Sequence, residues 1–261
     1  MRNTNSLACL ATFLLICPLQ AQAGAWPQAP GHSQIIVSYE PATAQEAFDP
    51  TGQRTIALTG WEQNDGSVFL DYGISQRLTL TTKLNFKDYR TDYTRFSGLG
   101  SVEIGARWTV HKSDSFVLAL GTSLEGLGKA RRNDFEAGGR PGTDADLRAY
   151  FGKNIQLFGQ NAFVDIQAAR HLRAHEASQW RLDSTLGVKT SDRWMLMTQI
   201  FAGQTDPAPW GRARWVNVQY SMVRSLGLSH ATSLQLGIRQ TIYGENVPAV
   251  QALILGLWQN F

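Results

Sequence analysis

Cysteine is nearly absent. The two copies, Cys9 and Cys17, both fall within residues 1–23, so the rest of the chain can build neither a disulfide framework nor a thiolate metal site. Beyond residue 23 there is also no apolar run near the ~18–20 residues a spanning helix needs, which excludes a bundle of membrane helices. Charge of one sign is lacking too. Lys and Arg number 24 against 21 Asp and Glu, a balance that gives no argument for a nucleic-acid partner.

What is present begins with a leader. Arg2 supplies positive charge, residues 7–16 (LACLATFLLI) an apolar stretch, and Ala21-Gln22-Ala23 a small-x-small cleavage site before Gly24. This is the layout of a secretory signal peptide over residues 1–23. A short membrane anchor is the alternative reading, but the apolar stretch is too short to span. The run LLIC suggests lipidation at Cys17, yet bulky Ile16 stands where that cleavage needs a small residue. The remaining unit, 24–261, suits one large all-β domain or two small ones. Only strands then offer a route into a membrane.

Alternation at period two runs along nearly all of that unit. In RLTLTTKLNFK (77–87), Leu78, Leu80, Leu84 and Phe86 oppose Thr79, Thr81, Lys83, Asn85 and Lys87. In SVEIGARWTV (101–110), Val102, Ile104, Ala106, Trp108 and Val110 oppose Ser101, Glu103, Gly105, Arg107 and Thr109. About twelve such segments lie near 33–42, 64–74, 78–88, 98–110, 115–127, 145–153, 159–171, 179–189, 194–205, 213–224, 232–243 and 248–261. Most are longer than the ~5–6 residues of soluble strands and match the ~9–11 of a tilted membrane-crossing strand.

Connections alternate between tight polar turns (74–77, 111–114, 190–193) and longer stretches near 43–63, 89–97, 128–144, 172–178 and 206–212. Outer-membrane barrels show this asymmetry, and an even strand count places both ends on the short-turn, periplasmic side. On the apolar parity, Tyr72, Trp108, Phe116, Phe151, Trp194 and Tyr220 cluster toward the short turns, as an interfacial girdle would. The expectation is an all-β, transmembrane, antiparallel up-and-down β-barrel of about 12 strands. If TIALTGW, inside 43–63, forms its own hairpin, the count becomes 14.

The final segment, QALILGLWQNF, keeps Leu253, Leu255 and Leu257 on the parity of Phe261. It resembles the C-terminal signature of the Gram-negative outer-membrane β-barrel (porin-like) superfamily, although Gln259 departs from the usual apolar residue. The resemblance implies outer-membrane localisation, surrounding outer-membrane lipid, and a barrel-assembly machinery that reads Phe261 as its signal. It extends to small porin-like proteins, some of which accompany exopolysaccharide and biofilm machinery.

With the apolar parity toward lipid, the opposite parity lines the lumen. The selectivity candidates are Lys83, Lys87, Glu103, Arg107, Glu125, Arg148, Asp165, Arg181, Asp183, Lys189 and Arg239, seven basic and four acidic. These either pair across strands or leave a positive field that concentrates anions. About twelve strands lie between the ~8 that side chains fill and the ~16–18 that leave an open channel. Loop 129–146, with Arg131, Arg132 and Arg140, is either a constriction folded into the lumen or a solvated surface loop.

The resulting expectation is transport: a porin-like channel for small hydrophilic or anionic solutes, or for a saccharide chain. No cofactor or metal is implied, because His171 and His175 on a loop make only two ligands. A hydrolase at the external rim is a second class. Histidine and serine are never spaced as His-x-Ser, and the candidates for such a site are His171 and His175 paired with Asp88 or Asp92 across loops. A non-conducting structural or adhesive barrel is the third, with Trp210 and Trp215 as a stacking platform or as members of the outer girdle. Removing Phe261 is expected to cut the folded barrel recovered from outer membranes several-fold, measured as loss of the heat-modifiable band on gels.

Overall fold

Segments with one apolar and one polar parity become strands because only a pleated strand gives each parity its own surroundings. The computed structural model describes residues 24–126, 142–209, 211–227 and 230–261. Its strands are β1 Ser33–Phe48, β2 Arg54–Gly73, β3 Leu78–Thr91, β4 Arg95–Lys112, β5 Phe116–Gly126 and β6 Asp144–Leu157. They continue as β7 Gln160–Leu172, β8 Gln179–Lys189, β9 Trp194–Thr205, β10 Arg214–Leu226, β11 Thr232–Glu245, β12 Val247–Pro248 and β13 Gln251–Asn260.

Sequence neighbours from β1 to β11 pair antiparallel, and β13 pairs with β11 on one side and β1 on the other. Twelve long strands therefore close a ring. β12 is a two-residue strand against the end of β1, with Ala47 opposite Pro248. The stretch TIALTGW forms no separate hairpin. It continues β2, a strand of 20 residues, and pairs back onto β1 across a bulge between Ala44 and Glu46. The seam between β1 and β13 ends on mutual bonds: Phe261 N–H to Ser33 O at 2.9 Å, and Ser33 N–H to Phe261 O at 3.2 Å.

The parities sort in the sense a membrane requires. Leu80, Phe86, Ile104, Trp108, Leu120, Leu124, Leu182, Leu234, Leu236, Ile238 and Leu257 are exposed on the outer wall. Thr79, Asn85, Arg107, Asp165 and Gln219 are buried inside. A soluble sandwich would bury the first set and expose the second. Tyr72 and Trp108 stand exposed near the short-turn rim, and the Phe116 and Phe151 rings sit 6.4 Å apart there. Tyr220, by contrast, lies at the middle of β10, away from that girdle. Trp215 belongs to no outer girdle either. It is buried inside with Phe48, Ala213, Val247 and Ala249, its indole filling the space beside Gly203.

Two of the expected long loops are largely strand. Within 43–63 the connection shrinks to 49–53, and within 89–97 to 92–94, because the strands extend past the apolar band. In the first, the Asp49 carboxylate accepts the Thr51 hydroxyl at 2.7 Å, the Gln53 N–H at 2.9 Å and the Thr51 N–H at 2.8 Å. These bonds, the hydroxyl's foremost, hold the Asp49 carboxyl below its ordinary range. At the opposite rim, Phe158 (φ 51°) and Gly159 (φ 75°) form a two-residue turn with both φ positive, the hairpin geometry that suits Asn-Gly. Phe158 carries a side chain disfavoured there. Phe158→Asn is expected to stabilise the barrel by about 1 kcal/mol in urea unfolding from lipid vesicles, and Gly159→Val to destabilise it at least as much.

Candidate functional site: the lumen and its plug

Parity carries every sequence-selected strand residue inward: Lys83, Lys87, Glu103, Arg107, Glu125, Arg148, Asp165, Arg181, Asp183, Lys189 and Arg239 all lie opposite the exposed apolar rows. They have more company than expected. Glu40, Asp65, Asp71, Asp144 and Asp146 share the inward parity on the described strands. Seven bases then face nine acids, so the expected positive surplus disappears. Applied at Asp65 and Asp71, the same parity rule finds two of these acids from sequence. Asp144 fell in a stretch read as loop, although β6 begins there. Arg131, Arg132 and Arg140 lie outside the described residues.

Much of this charge is paired. Arg148 donates to Asp183 at 2.6 Å, Asp146 at 3.1 Å and Gln167 at 3.0 Å. Lys83 stands directly opposite Glu103 in the β3–β4 ladder, and Glu103 accepts the Ser123 hydroxyl at 2.6 Å. Arg239 forms an ion pair with Glu40. Removing bases and acids together from water is favourable only when each finds such partners.

The lumen also holds something no strand supplies. Residues 24–28 double back into the barrel at the short-turn rim, and the exposed 29–32 lead out to β1. Ala25 is 0% exposed, Trp26 7% and Gln28 6%. The Ala25 N–H donates to Asp165 at 2.8 Å and the Gln28 N–H to the Thr79 hydroxyl at 3.1 Å. Arg107 donates to the Trp26 carbonyl at 3.1 Å and to Asp71 at 2.9 Å, with its guanidinium 5.6 Å from the Tyr150 ring. Trp26 meets Phe163 edge-on at 5.9 Å, inside a collar that includes Val117, Met195, Met197 and Val223. A Cβ on Gly152 would lie 2.7 Å from the Trp26 ring, so glycine is required to seat it.

This plug was missed in the sequence, and its signal was there. Val117, Phe163, Met195, Met197 and Val223 are apolar residues on the wet parity, all toward the short-turn ends of their strands. A row that ought to face water but is apolar announces that something apolar covers it.

The rim pairing of the alternative hydrolase reading, His171 or His175 with Asp88 or Asp92, is not assembled. His171 is buried inside, its ring nitrogens 3.8 Å from Asp144 and 3.6 Å from Asp146. His175 is exposed on the 173–178 connection. Asp88 lies on β3, four strands from β7, and Asp92 accepts the Gly60 N–H at 3.0 Å. Among the described residues no group of three or more His, Cys, Asp or Glu is arranged to hold a metal.

No known family profile and no curated protein matches the sequence. Solved structures do match in shape. The COG4313 outer membrane channel from Pseudomonas putida F1 superimposes with a TM-score of 0.69 at 15% identity, over 92% of this chain and 99% of that one. The chain has the fold of the outer-membrane porins and channels. The NanC porin (TM-score 0.57, 6% identity, 85% of this chain and 98% of that one) and the KdgM porin (0.53, 7%, 87% and 99%) share the same porin-type barrel.

In this barrel, Arg107 ties the plug to the wall. Arg107→Ala leaves Asp71 buried without its partner and is expected to destabilise the barrel by about 3–5 kcal/mol. Because no cysteine occurs beyond residue 23, Ala25→Cys reports on the plug directly. Maleimide labelling of that cysteine should be slow with Arg107 present and fast in the Arg107→Ala background.

Proposed function

We propose that this chain is an outer-membrane channel for small hydrophilic solutes, closed at rest by its own residues 24–30. The observation that carries the reading is the contrast between the two fillings of the lumen. The strands supply a polar, charge-lined interior, and the closure at the short-turn half comes from a separate segment. With the leader 1–23 removed, that segment joins the barrel only through β1, so it can leave without breaking the ring. On this reading the short turns are periplasmic, lipid covers the outer wall, and Phe261 is read by the assembly machinery.

The balance of seven inward bases against nine acids gives no support to an anion preference. The KdgM porin, whose structure was determined in complex with disordered oligogalacturonate, supports testing a saccharide chain as a second cargo. A link to exopolysaccharide or biofilm machinery rests on the sequence resemblance. The hydrolase alternative predicts turnover of lipids or peptides that is lost in His171→Ala and His175→Ala.

Planar-bilayer recordings test the channel. The full chain is expected to conduct weakly or intermittently, and deletion of 24–30 or Trp26→Ala to raise conductance several-fold. Silence of all three forms in correctly folded barrels would leave the non-conducting structural barrel as the answer.

A further inference from the structure

The inward charges are not spread evenly around the ring. Of the sixteen above, fourteen lie on β2–β8, and the other two, Glu40 on β1 and Arg239 on β11, pair with each other; a further inward-parity pair, Glu46 on β1 with Arg54 on β2 at 3.4 Å, sits half-exposed at the long-loop rim. The remaining arc, β9, β10, β11, β13 and β1, is otherwise lined by amides, hydroxyls and apolar groups. On it the Gln199 amide donates to Thr185 at 3.2 Å and accepts from Gln219 at 2.8 Å. Gln219 also donates to Ser221 at 3.1 Å, Gln235 donates to Ser221 at 3.0 Å, and the Trp258 indole donates to Gln235 at 3.1 Å. A continuous neutral ladder thus crosses from β8 to β13.

Resting on the channel reading above, we infer that this ladder is the binding track for uncharged polyhydroxylated solutes. Apart from the Trp258 indole, which only donates, each rung is donor and acceptor at once: an amide carries two N–H donors and a carbonyl, a hydroxyl one donor and two lone pairs. A sugar hydroxyl has the same dual character and can replace any rung-to-rung bond it interrupts. A carboxylate group offers acceptors alone, and an ammonium group donors alone, so the rung beside either is left half unmatched in a site where unmatched groups are costly, and the charge finds no partner on this arc.

Packing alone does not account for these residues. Nearer the short-turn rim on the same strands, the inward positions that only need filling are Met195, Met197 and Val223. The change from apolar to amide along β9 and β10 marks the point where the plug's collar ends and the polar lining begins. Phe201, on the same inward row of β9, adds an aromatic face of the kind sugars stack against.

Swelling of proteoliposomes containing the full-length chain with Trp26→Ala, which loosens the plug, compares glucose, gluconate and glucosamine. Glucose is expected to enter fastest. Gln199→Leu with Gln235→Leu should slow glucose about fivefold, the loss of roughly one net hydrogen bond, while potassium chloride conductance stays within twofold. The near-isosteric pair Gln199→Glu with Gln235→Glu, which keeps the packing, should shift preference to glucosamine. Gluconate entering as fast as glucose, or the leucine pair lowering glucose entry and conductance alike, overturns the track and leaves the channel standing. Absence of both swelling and conductance overturns the channel and the track together.

Discussion

Everything in this molecule follows from one constraint: in hydrocarbon, no backbone N–H or C=O can be left without a partner. A sheet of twelve strands meets it only by closing, because an open edge exposes a row of unpaired groups. Closure at β1 and β13 fixes the rest. It assigns one parity of each strand to lipid and the other to an enclosed space, and it sets the width of that space. The 20-residue β2 and 18-residue β4 extend past the apolar band without penalty, since water satisfies their backbone beyond it.

Once the ring is closed, the width of a twelve-strand interior becomes the next problem. Side chains from the wall reach across an eight-strand barrel but leave a wider one incompletely filled. This chain solves the two halves differently. Toward the long loops it pairs charge with charge on one arc, as in Arg148 with Asp146 and Asp183, and packs apolar clusters around Trp61 and Trp215 on the other. Toward the short turns it inserts Ala25 and Trp26 and surrounds them with an apolar collar, making that half resemble the core of a soluble protein. Arg107 stands at the junction, bonded to Asp71 on the wall and to the Trp26 carbonyl on the plug.

Which parts of this were legible in the sequence follows from what each depends on. The strands and their outward faces depend on alternation within about ten residues, and Leu78, Leu80, Leu84 and Phe86 announce it locally. The eleven lumen residues followed from the same rule. Charge balance did not, because it needs every inward position counted: Glu40, Asp65 and Asp71 sit on the wet parity of segments already read as strands, while Asp144 lies in a stretch whose extent is set by its pairing partner. The plug was illegible for a different reason. Treating the wet parity as uniformly wet discarded the exceptions, and Met195, Met197 and Val223 were the exceptions that mattered. Trp215 was misplaced in the same way: it sits on the inward parity, but an aromatic near a loop reads as girdle until Gly203 is seen beneath it.

On the proposed channel reading, the apolar collar also accounts for closure at rest. Withdrawing residues 24–30 would leave Val117, Phe163, Met195, Met197 and Val223 facing a water-filled bore, an unfavourable exchange for each side chain. The same withdrawal would strip Asp165 and Thr79 of backbone donors, but those groups can turn to water, whereas the collar cannot. Hydrophobic contact therefore sets the energy of the closed state, and the polar bonds set the position in which the plug seats. If solutes follow the neutral arc as proposed, one moving from Gln219 toward Val223 reaches this collar last, so its passage and the movement of Trp26 would be a single event rather than two.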